Sequence, residues 1–280
     1  MSILQAVFLG FIQGLTEFLP VSSSGHLAIF QKLFHMKTDF GVLFDVLLHV
    51  GTLSSVFLIF RKDIMLLIKE FIGMIADLFA KIRDPYVVVI NSAYRKFVLL
   101  IIVSTIPTGV LGFVAKDFVT YASGSLLITG ICLIITSGAL FFADMQPEGR
   151  KSVKSASYLN AFEIGMAQGV ATMPGLSRSG LTITACLACG FKREFAFKYS
   201  FIMSIPAILG ATILELKDIT KAEISGSMIL NCIVGMVVAG IVGFVALKLM
   251  IGIVKNKKYI FFSIYCFVAG LVAIIANFFV

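Results

Sequence analysis

Long apolar runs separated by short polar connections dominate the chain. The runs cover residues 41–60, 97–115, 124–143, 199–216, 228–251 and 259–280. Each run is close to the ~20 residues with which a helix crosses about 30 Å of hydrocarbon. Backbone groups find no partners in lipid, so these runs are expected to be helical. The pattern predicts an all-α integral membrane protein with six transmembrane helices.

Two further apolar segments, residues 3–33 and 160–191, are interrupted by polar residues. The first contains "FLPVSSSGH" at 18–26 and the second "PGLSRSGLT" at 174–182. Proline ends or kinks a helix, and serine or glycine favours the start of the next. Each segment is therefore either a re-entrant helix hairpin, which dips into the membrane and returns, or a kinked span followed by an amphipathic helix. We favour the hairpin.

The two interrupted segments are related to each other by a repeat. When residues 10–26 are laid over 165–181 at an offset of 155, six positions are identical, and all six are polar residues or glycines. The identical pairs are Gly10/Gly165, Gln13/Gln168, Gly14/Gly169, Ser22/Ser177, Ser24/Ser179 and Gly25/Gly180. Long-period self-similarity of this kind indicates a duplicated unit. We predict a single membrane domain, 1–280, with a first repeat over 1–143, a linker over 144–159 and a second repeat over 160–280.

The distribution of charge predicts the orientation. The chain is 59% hydrophobic, 14% charged and +8 in net charge, with a mean hydropathy of +1.03. If both hairpins return to their side of entry, one set of loops holds five basic residues and the other seventeen. The smaller set is Lys32, Lys37, Lys116, Lys217 and Lys221. The positive-inside rule places the larger set in the cytoplasm, so the repeats would have inverted topology. Membrane orientation thus explains the basic charge, and no nucleic-acid partner is expected.

Three smaller features complete the organisation. Residues 63–80 carry four charged side chains among apolar ones, which predicts an amphipathic helix on the cytoplasmic face. Residues 1–33 lack the charged start of a signal peptide and are interpreted as mature structure. Cys186 and Cys189 form a C-x-x-C pattern. Because no second cluster of metal-binding type accompanies them, we interpret both as small buried side chains.

Ionisable residues inside a membrane are costly and are candidates for function. Glu17, His26 and Arg178 are the candidates in the interrupted segments. Gln13 and Glu17 are four residues apart and share a helix face, and Ser23 and His26 share the next. The Ser/Gly turns offer backbone N–H groups at a helix start, which favour an anion. Arg178 adds a planar donor suited to phosphate. Two such turns facing each other suit two linked phosphates.

Several roles remain open from the residues alone. Glu17 either binds a divalent cation that bridges phosphate oxygens or acts as a general acid or base. Ser23 beside His26 has the form of a nucleophile and its base, although His26 is equally compatible with a packing role. Asp45 and His49, one turn apart on the first span, either support the site or form a salt link near the membrane edge.

The motifs resemble those of one known family. "QGLTEFLPVSSSGH" at 13–26 and "PGLSRSGLT" at 174–182 closely resemble the signature motifs of the undecaprenyl-diphosphate phosphatases, the bacitracin-resistance proteins. "KREFAFKYSFIMSIPAI" at 192–208 is similar to the segment that follows in that family. The resemblance implies a multi-pass enzyme of the bacterial plasma membrane that converts undecaprenyl diphosphate to undecaprenyl phosphate and phosphate, and so recycles the lipid carrier of cell-wall synthesis. It also implies six spans with two opposed re-entrant hairpins, and dependence on a divalent cation, Mg or Ca.

The resemblance also assigns expected roles to residues. It matches Glu17 to the essential acid, Ser23 to the proposed nucleophile, His26 to the essential histidine and Arg178 to the phosphate-binding arginine. The expected phosphate-binding residues are Ser22, Ser24, Gly25, Ser177, Ser179 and Thr182. The first position of the family's (E/Q)-x-x-x-E pattern is Gln13 in this chain, and glutamine brings no charge. A cation held by Glu17 and Gln13 would have one carboxylate fewer.

An alternative function is transport. Inverted repeats with broken helices are typical of secondary transporters, and a polyprenyl-phosphate flippase would use the same phosphate clamp. Such a protein would not need Ser23, His26 and Glu17 together, which favours the enzyme. A structural or signalling protein would leave Arg178 unexplained. The expected partners are the lipid substrate, membrane lipid and a second copy of the chain in a homodimer, with the active site open to the extracytoplasmic face.

Overall fold

The computed structural model describes residues 1–34, 41–218, 226–255 and 259–279. The expectations for Lys37 and Lys221 lie outside these residues. The described chain forms twelve α-helices. They are α1 Ile3–Phe18, α2 Ser23–Leu33, α3 Gly41–Ile59, α4 Arg61–Arg83, α5 Ala93–Val114, α6 Lys116–Ser123, α7 Leu126–Met145, α8 Tyr158–Val170, α9 Arg178–Ala188, α10 Arg193–Asp218, α11 Gly226–Lys255 and α12 Tyr259–Ala276. The prediction of an all-α fold is confirmed.

Five of the described helices are long and apolar enough to cross a membrane. They are Ala93–Val114, Leu126–Met145, Arg193–Leu214, Met228–Ile253 and Tyr259–Ala276. These helices correspond to five of the six predicted spans, and they identify a multi-pass membrane protein. The remaining predicted span, 41–60, forms α3, whose Phe44–Ile59 part is a shorter apolar helix. The short helix α6 between two spans was not predicted.

Small residues bring α1 and α11 into backbone contact. A Cβ added to Gly10 would lie 2.5 Å from the carbonyl oxygen of Gly235, and one added to Gly14 would lie 2.7 Å from that of Ala239. The contacts advance in the same direction along both helices, so α1 and α11 run parallel. Close approach at small residues replaces the hydrophobic driving force that water gives to soluble proteins.

The corresponding helix of the other interrupted segment, α8, packs in the same way on α5. Thr108 of α5 donates its hydroxyl to the carbonyl oxygen of Gly165, at 2.9 Å, and a Cβ on Gly165 would collide with the carbonyl oxygen of Ser104. Helices α7 and α12 also cross at glycines. A Cβ on Gly130 would lie 2.7 Å from the carbonyl oxygen of Gly270, and one on Gly270 would lie 2.8 Å from that of Gly130.

Helix α4, predicted over 63–80, is longer than predicted and is held to the bundle by its acidic side chains. Arg95 at the start of α5 donates to the carboxylates of Glu70, at 2.8 Å, and Asp77. Lys198 of α10 pairs with Asp63 at 2.9 Å. Large apolar side chains on another face of α4 are exposed, among them Phe79 at 67%. The helix is therefore amphipathic, with its acids directed to the protein.

Candidate active site

The first interrupted segment makes a sharp turn between α1 and α2. Ser22 is the N-cap of α2, and its hydroxyl oxygen accepts a hydrogen bond from the N–H of Gly25 at 3.2 Å. Its φ of +70° is uncommon for a residue other than glycine and is typical of a strained, functional position. The Ser24 hydroxyl lies 3.4 Å from that of Ser22. The proline–serine–glycine pattern thus ends one helix and caps the next, as predicted.

The second interrupted segment repeats these bonds. Ser177 caps α9 and accepts from the N–H of Gly180 at 3.1 Å, and the Ser179 hydroxyl lies 3.4 Å from that of Ser177. Gly175 has a φ of +91°, which a side chain would strain. Thr136 of α7 clamps the turn, because its hydroxyl accepts from the Ser177 N–H at 3.0 Å and donates to the Gly175 carbonyl at 3.1 Å.

The two turns meet each other in the interior. A Cβ on Gly25 would lie 3.0 Å from the Cα of Gly175, so the backbones are in contact. Arg178 Nη2 lies 2.5 Å from Glu17 Oε1. Ser23 and Arg178 occupy equivalent positions of the repeat, as the first residues of α2 and α9. The structure therefore brings the candidate arginine of one segment onto the candidate acid of the other.

Glu17 is the centre of this contact. It is 6% exposed, and its second carboxylate oxygen accepts from the Ser23 hydroxyl at 2.6 Å and from the Gln13 amide at 2.8 Å. His49 Nε2 lies 3.7 Å from the same oxygen. Hydrogen bonds to an ionised carboxylate are the stronger kind. The carboxylate thus joins both interrupted segments, and it is the nearest bonded acceptor for the Ser23 proton.

His26 is turned to other partners. Its Nδ1 lies 2.7 Å from the carbonyl oxygen of Ser22, and its Nε2 lies 2.7 Å from the hydroxyl of Tyr265. The structure therefore differs from the expectation that His26 is the base of Ser23. The reason is that Ser23, at the first position of α2, points back to Glu17 on α1. The His26 ring is drawn to the carbonyl one turn before it.

The remaining predicted residues have different surroundings. Ser22, Ser177 and Ser179 are buried at the two turns. The Thr182 hydroxyl lies 2.6 Å from that of Ser200 on α10 and donates to the Arg178 carbonyl at 2.8 Å. Thr182 is fully buried, so it fastens α9 to α10.

Two residues near the site were not placed there from the sequence. Tyr265 and Thr136 come from apolar spans, where a lone polar residue gives no local signal. His49, for which the sequence allows either support of the site or a salt link, lies beside the site, as its distance from Glu17 shows. Its neighbour Asp45 accepts from Gln31 at 3.3 Å.

Two buried polar atoms point to a ligand or water. Arg178 Nη1 and Gln13 Oε1 have no hydrogen-bond partner in the described part of the chain. Such atoms are uncommon in folded proteins and require an explanation. Arg178 Nη1 is a free donor for a phosphate oxygen. Gln13 Oε1 is a free acceptor on the side chain whose amide nitrogen donates to Glu17, and an amide oxygen of this kind can bind a cation.

A divalent cation fits the site only if the substrate and water supply some of its ligands. Residues 1–34, 41–218, 226–255 and 259–279 contain no group of three or more His, Cys, Asp or Glu able to hold a metal by themselves. One carboxylate and one amide oxygen are a small donor set. Mg²⁺ is nevertheless commonly bound by one or two carboxylates together with substrate phosphates and water. Glu17 and Gln13 fit a cation of that kind.

Comparison with known proteins identifies the family. Residues 6–272 match the family model described as "Bacitracin resistance protein BacA". The chain is 43% identical over 277 residues to the undecaprenyl-diphosphatase of Alkaliphilus metalliredigens, with 98% of each chain covered. It is 39% identical over 277 residues to that of Methanosphaera stadtmanae, with 99% of each covered. It is 41% identical over 279 residues to that of Carboxydothermus hydrogenoformans, with 98% of this chain and 97% of the relative covered. The chain belongs to the bacitracin resistance protein BacA family.

Proposed function

We propose that the chain is a membrane phosphatase that hydrolyses undecaprenyl diphosphate to undecaprenyl phosphate and inorganic phosphate. Relatives that cover nearly its whole length are named undecaprenyl-diphosphatase. The activity recycles the lipid carrier of cell-wall synthesis and explains resistance to bacitracin. The observation that carries the proposal is the Glu17 carboxylate, which holds Ser23 on one oxygen and Arg178 on the other.

Arg178 binds the terminal phosphate in the proposed mechanism. Its Nη1 is free, so the guanidinium can take a phosphate oxygen while Nη2 stays on Glu17. Transfer of a phosphoryl group spreads negative charge over its oxygens, and a fixed arginine stabilises that charge. The first turns of α2 and α9 add backbone N–H groups that face anions. Ser22, Ser24, Gly25, Ser177 and Ser179 shape these two turns around the diphosphate.

The geometry favours Ser23 as the nucleophile and Glu17 as its base. The Ser23 oxygen attacks the terminal phosphorus, and its proton passes to Glu17 over 2.6 Å. The bond from phosphorus to the bridging oxygen breaks, so that undecaprenyl phosphate leaves. Water then attacks the phosphoserine and gives a proton to His26 Nε2. The Ser23 oxygen leaves with the proton held by Glu17, inorganic phosphate is released, and His26 returns its proton to the solvent.

A divalent cation, Mg or Ca, completes the site in this proposal. Glu17 and Gln13 would hold it together with the diphosphate oxygens. When bound, it neutralises charge on the diphosphate. Ser23 and Arg178 keep the roles given above, because neither depends on a cation for its position.

We further propose that the fold is an inverted repeat of six spans with two re-entrant hairpins, α1–α2 and α8–α9. Both ends of the first hairpin contact the starts of spans. The Asn231 amide of α11 donates to the Met1 carbonyl at 2.8 Å, and Lys32 donates to Gly124, just before α7, at 3.3 Å. This supports entry and exit on one side, with the repeats divided at the 144–159 linker.

The second hairpin contacts the opposite ends of the spans. Lys96, in the first turn of α5, donates to the Lys154 carbonyl before α8 at 2.6 Å. Arg193, which follows α9, donates to the Gln146 carbonyl at the end of α7 at 3.0 Å. By the positive-inside rule this side is cytoplasmic. The first hairpin then enters from outside, which supports a multi-pass protein of the bacterial plasma membrane with its site open to the extracytoplasmic face.

The test is phosphate release from undecaprenyl diphosphate by the purified protein in detergent, with and without chelator. A phosphatase releases phosphate in detergent, and the cation proposal predicts that chelator stops the reaction. Release that chelator leaves unchanged would contradict the cation alone. No release from folded protein would contradict the phosphatase and favour a polyprenyl-phosphate transporter. The homodimer stays a prediction, which light scattering of the purified protein tests.

A further inference from the structure

We propose that Tyr265 is a positioning residue for this reaction, which donates to His26 Nε2 and so holds the ring with its lone pair in place to accept a proton. The role of Tyr265 in the reaction rests on the proposed function, whereas the tautomer of His26 does not. Tyr265 lies on α12, far from His26 in sequence, and neither motif includes it. Its hydroxyl is 2.7 Å from His26 Nε2.

The partners of the imidazole determine where its proton lies. Nδ1 is 2.7 Å from the carbonyl oxygen of Ser22, which only accepts hydrogen bonds. Nδ1 therefore carries a hydrogen. In a neutral histidine the other nitrogen then bears a lone pair, and the Tyr265 hydroxyl can donate to it. The imidazole and phenol rings are nearly parallel, with an interplanar angle of 6°. The two bonds together favour a single tautomer, with the lone pair on Nε2.

The same bonds give His26 one chemical role. The Nδ1 proton is committed to the backbone of its own turn, so Nε2 is the only nitrogen that can accept a proton. The Tyr265 hydroxyl marks the position from which an O–H group reaches that lone pair. In the second half of the reaction, a water would take the place of the Tyr265 hydroxyl at this lone pair and give its proton to Nε2 while its oxygen attacks the phosphoserine.

Helix α12 is firmly placed beside the first hairpin. Ser263 donates to the Ser137 carbonyl of α7 at 2.8 Å, and Cys266 Sγ lies 3.7 Å from the carbonyl oxygen of Pro20. Tyr265 itself is 48% exposed, so it is not needed to fill the core. The hydroxyl can therefore be removed without a cavity, and its loss reports on the hydrogen bond to His26.

The test uses Tyr265→Phe with Tyr86→Phe as the matched control, since Tyr86 is 92% exposed in a loop. The first readout is ¹⁵N NMR of full-length protein in detergent, labelled at its three histidines. His26→Gln identifies the signals of His26. We expect a protonated Nδ1 and an unprotonated Nε2 in the wild type. In Tyr265→Phe the Nε2 signal should move downfield, as expected when a nitrogen lone pair loses its donor.

The second readout is kinetic. We expect kcat to fall on the order of tenfold in Tyr265→Phe, the size of one lost hydrogen bond, with KM unchanged. Tyr86→Phe should match the wild type in both readouts. A wild-type His26 protonated on Nε2 would overturn the proposal, as would a Tyr265→Phe protein with unchanged signals and kcat. If the wild type released no phosphate, the proposed function would fail, and the NMR result would still decide the tautomer.

Discussion

Gly25→Ala tests the contact between the two turns most sharply, because the new methyl group enters the space between them. Its Cβ would lie 3.0 Å from the Gly175 Cα and 3.1 Å from the Ser22 Oγ, where ordinary contacts begin near 3.4 Å. The turns must therefore separate by a few tenths of an ångström. Overpacking of this kind costs about 1–3 kcal/mol. Alanine keeps the backbone N–H, so the cap on Ser22 is retained.

The separation should also lower the rate. Glu17 and Arg178 approach from opposite turns, and a misplacement of ~1 Å at a reacting centre costs about 10²-fold. For a shift of a few tenths of an ångström we expect phosphate release to fall on the order of tenfold. Thermal unfolding in detergent should show a lower melting temperature. Both are measured on the same purified variant.

The control is Gly109→Ala on α5, where no atom lies within 4 Å of the added Cβ. Alanine is favoured over glycine inside a helix by up to about 1 kcal/mol. Gly109→Ala should therefore be as active as the wild type and at least as stable. A Gly25→Ala protein with wild-type activity and melting temperature would refute the contact between the turns.

Three further predictions follow from other contacts. Glu17→Gln should lower kcat by about 10²–10⁴-fold, the usual contribution of a general base, in phosphate-release assays on protein shown to be folded by gel filtration. An unchanged rate would exclude Glu17 as the base. Thr136→Val removes the buried hydroxyl that satisfies the Ser177 N–H, and it should lower the free energy of unfolding by about 1–3 kcal/mol; equal stability would contradict that bond. The chain contains no tryptophan, so Phe79→Trp on α4 provides a single reporter. Brominated lipid should quench its fluorescence, whereas Tyr86→Trp in the loop should be quenched little, and equal quenching would contradict α4 at the lipid surface.

Local features of the site were predictable because the chemistry that forms them is local. A proline followed by serines and glycine ends one helix and starts the next, and Ser22 and Ser177 are the caps that this pattern predicts. The repeat also places Ser23 and Arg178 at equivalent positions. Their approach to Glu17 needed only that the two halves face each other.

Other features depend on side chains from distant spans. The second hydrogen-bond partner of His26 is Tyr265, which the sequence shows only as one aromatic residue in an apolar run. His49 likewise reaches Glu17 from a distant helix, α3. Whether the Ser23 hydroxyl bonds to Glu17 or to His26 depends on the direction that α2 takes after the turn. The i,i+3 spacing of Ser23 and His26 does not determine that direction. Such contacts are tertiary, so no local pattern predicts them.

The most direct test of a site shared by the two hairpins is phosphate release from undecaprenyl diphosphate. It is measured for Ser23→Ala and Arg178→Ala beside the wild type. Each variant removes the contribution of one hairpin. If the two hairpins form one catalytic site, both variants should stay folded and lose release nearly completely. Release that survives Arg178→Ala would contradict a site shared between the hairpins. Release that survives Ser23→Ala but not Arg178→Ala would retain the shared site and exclude the serine nucleophile.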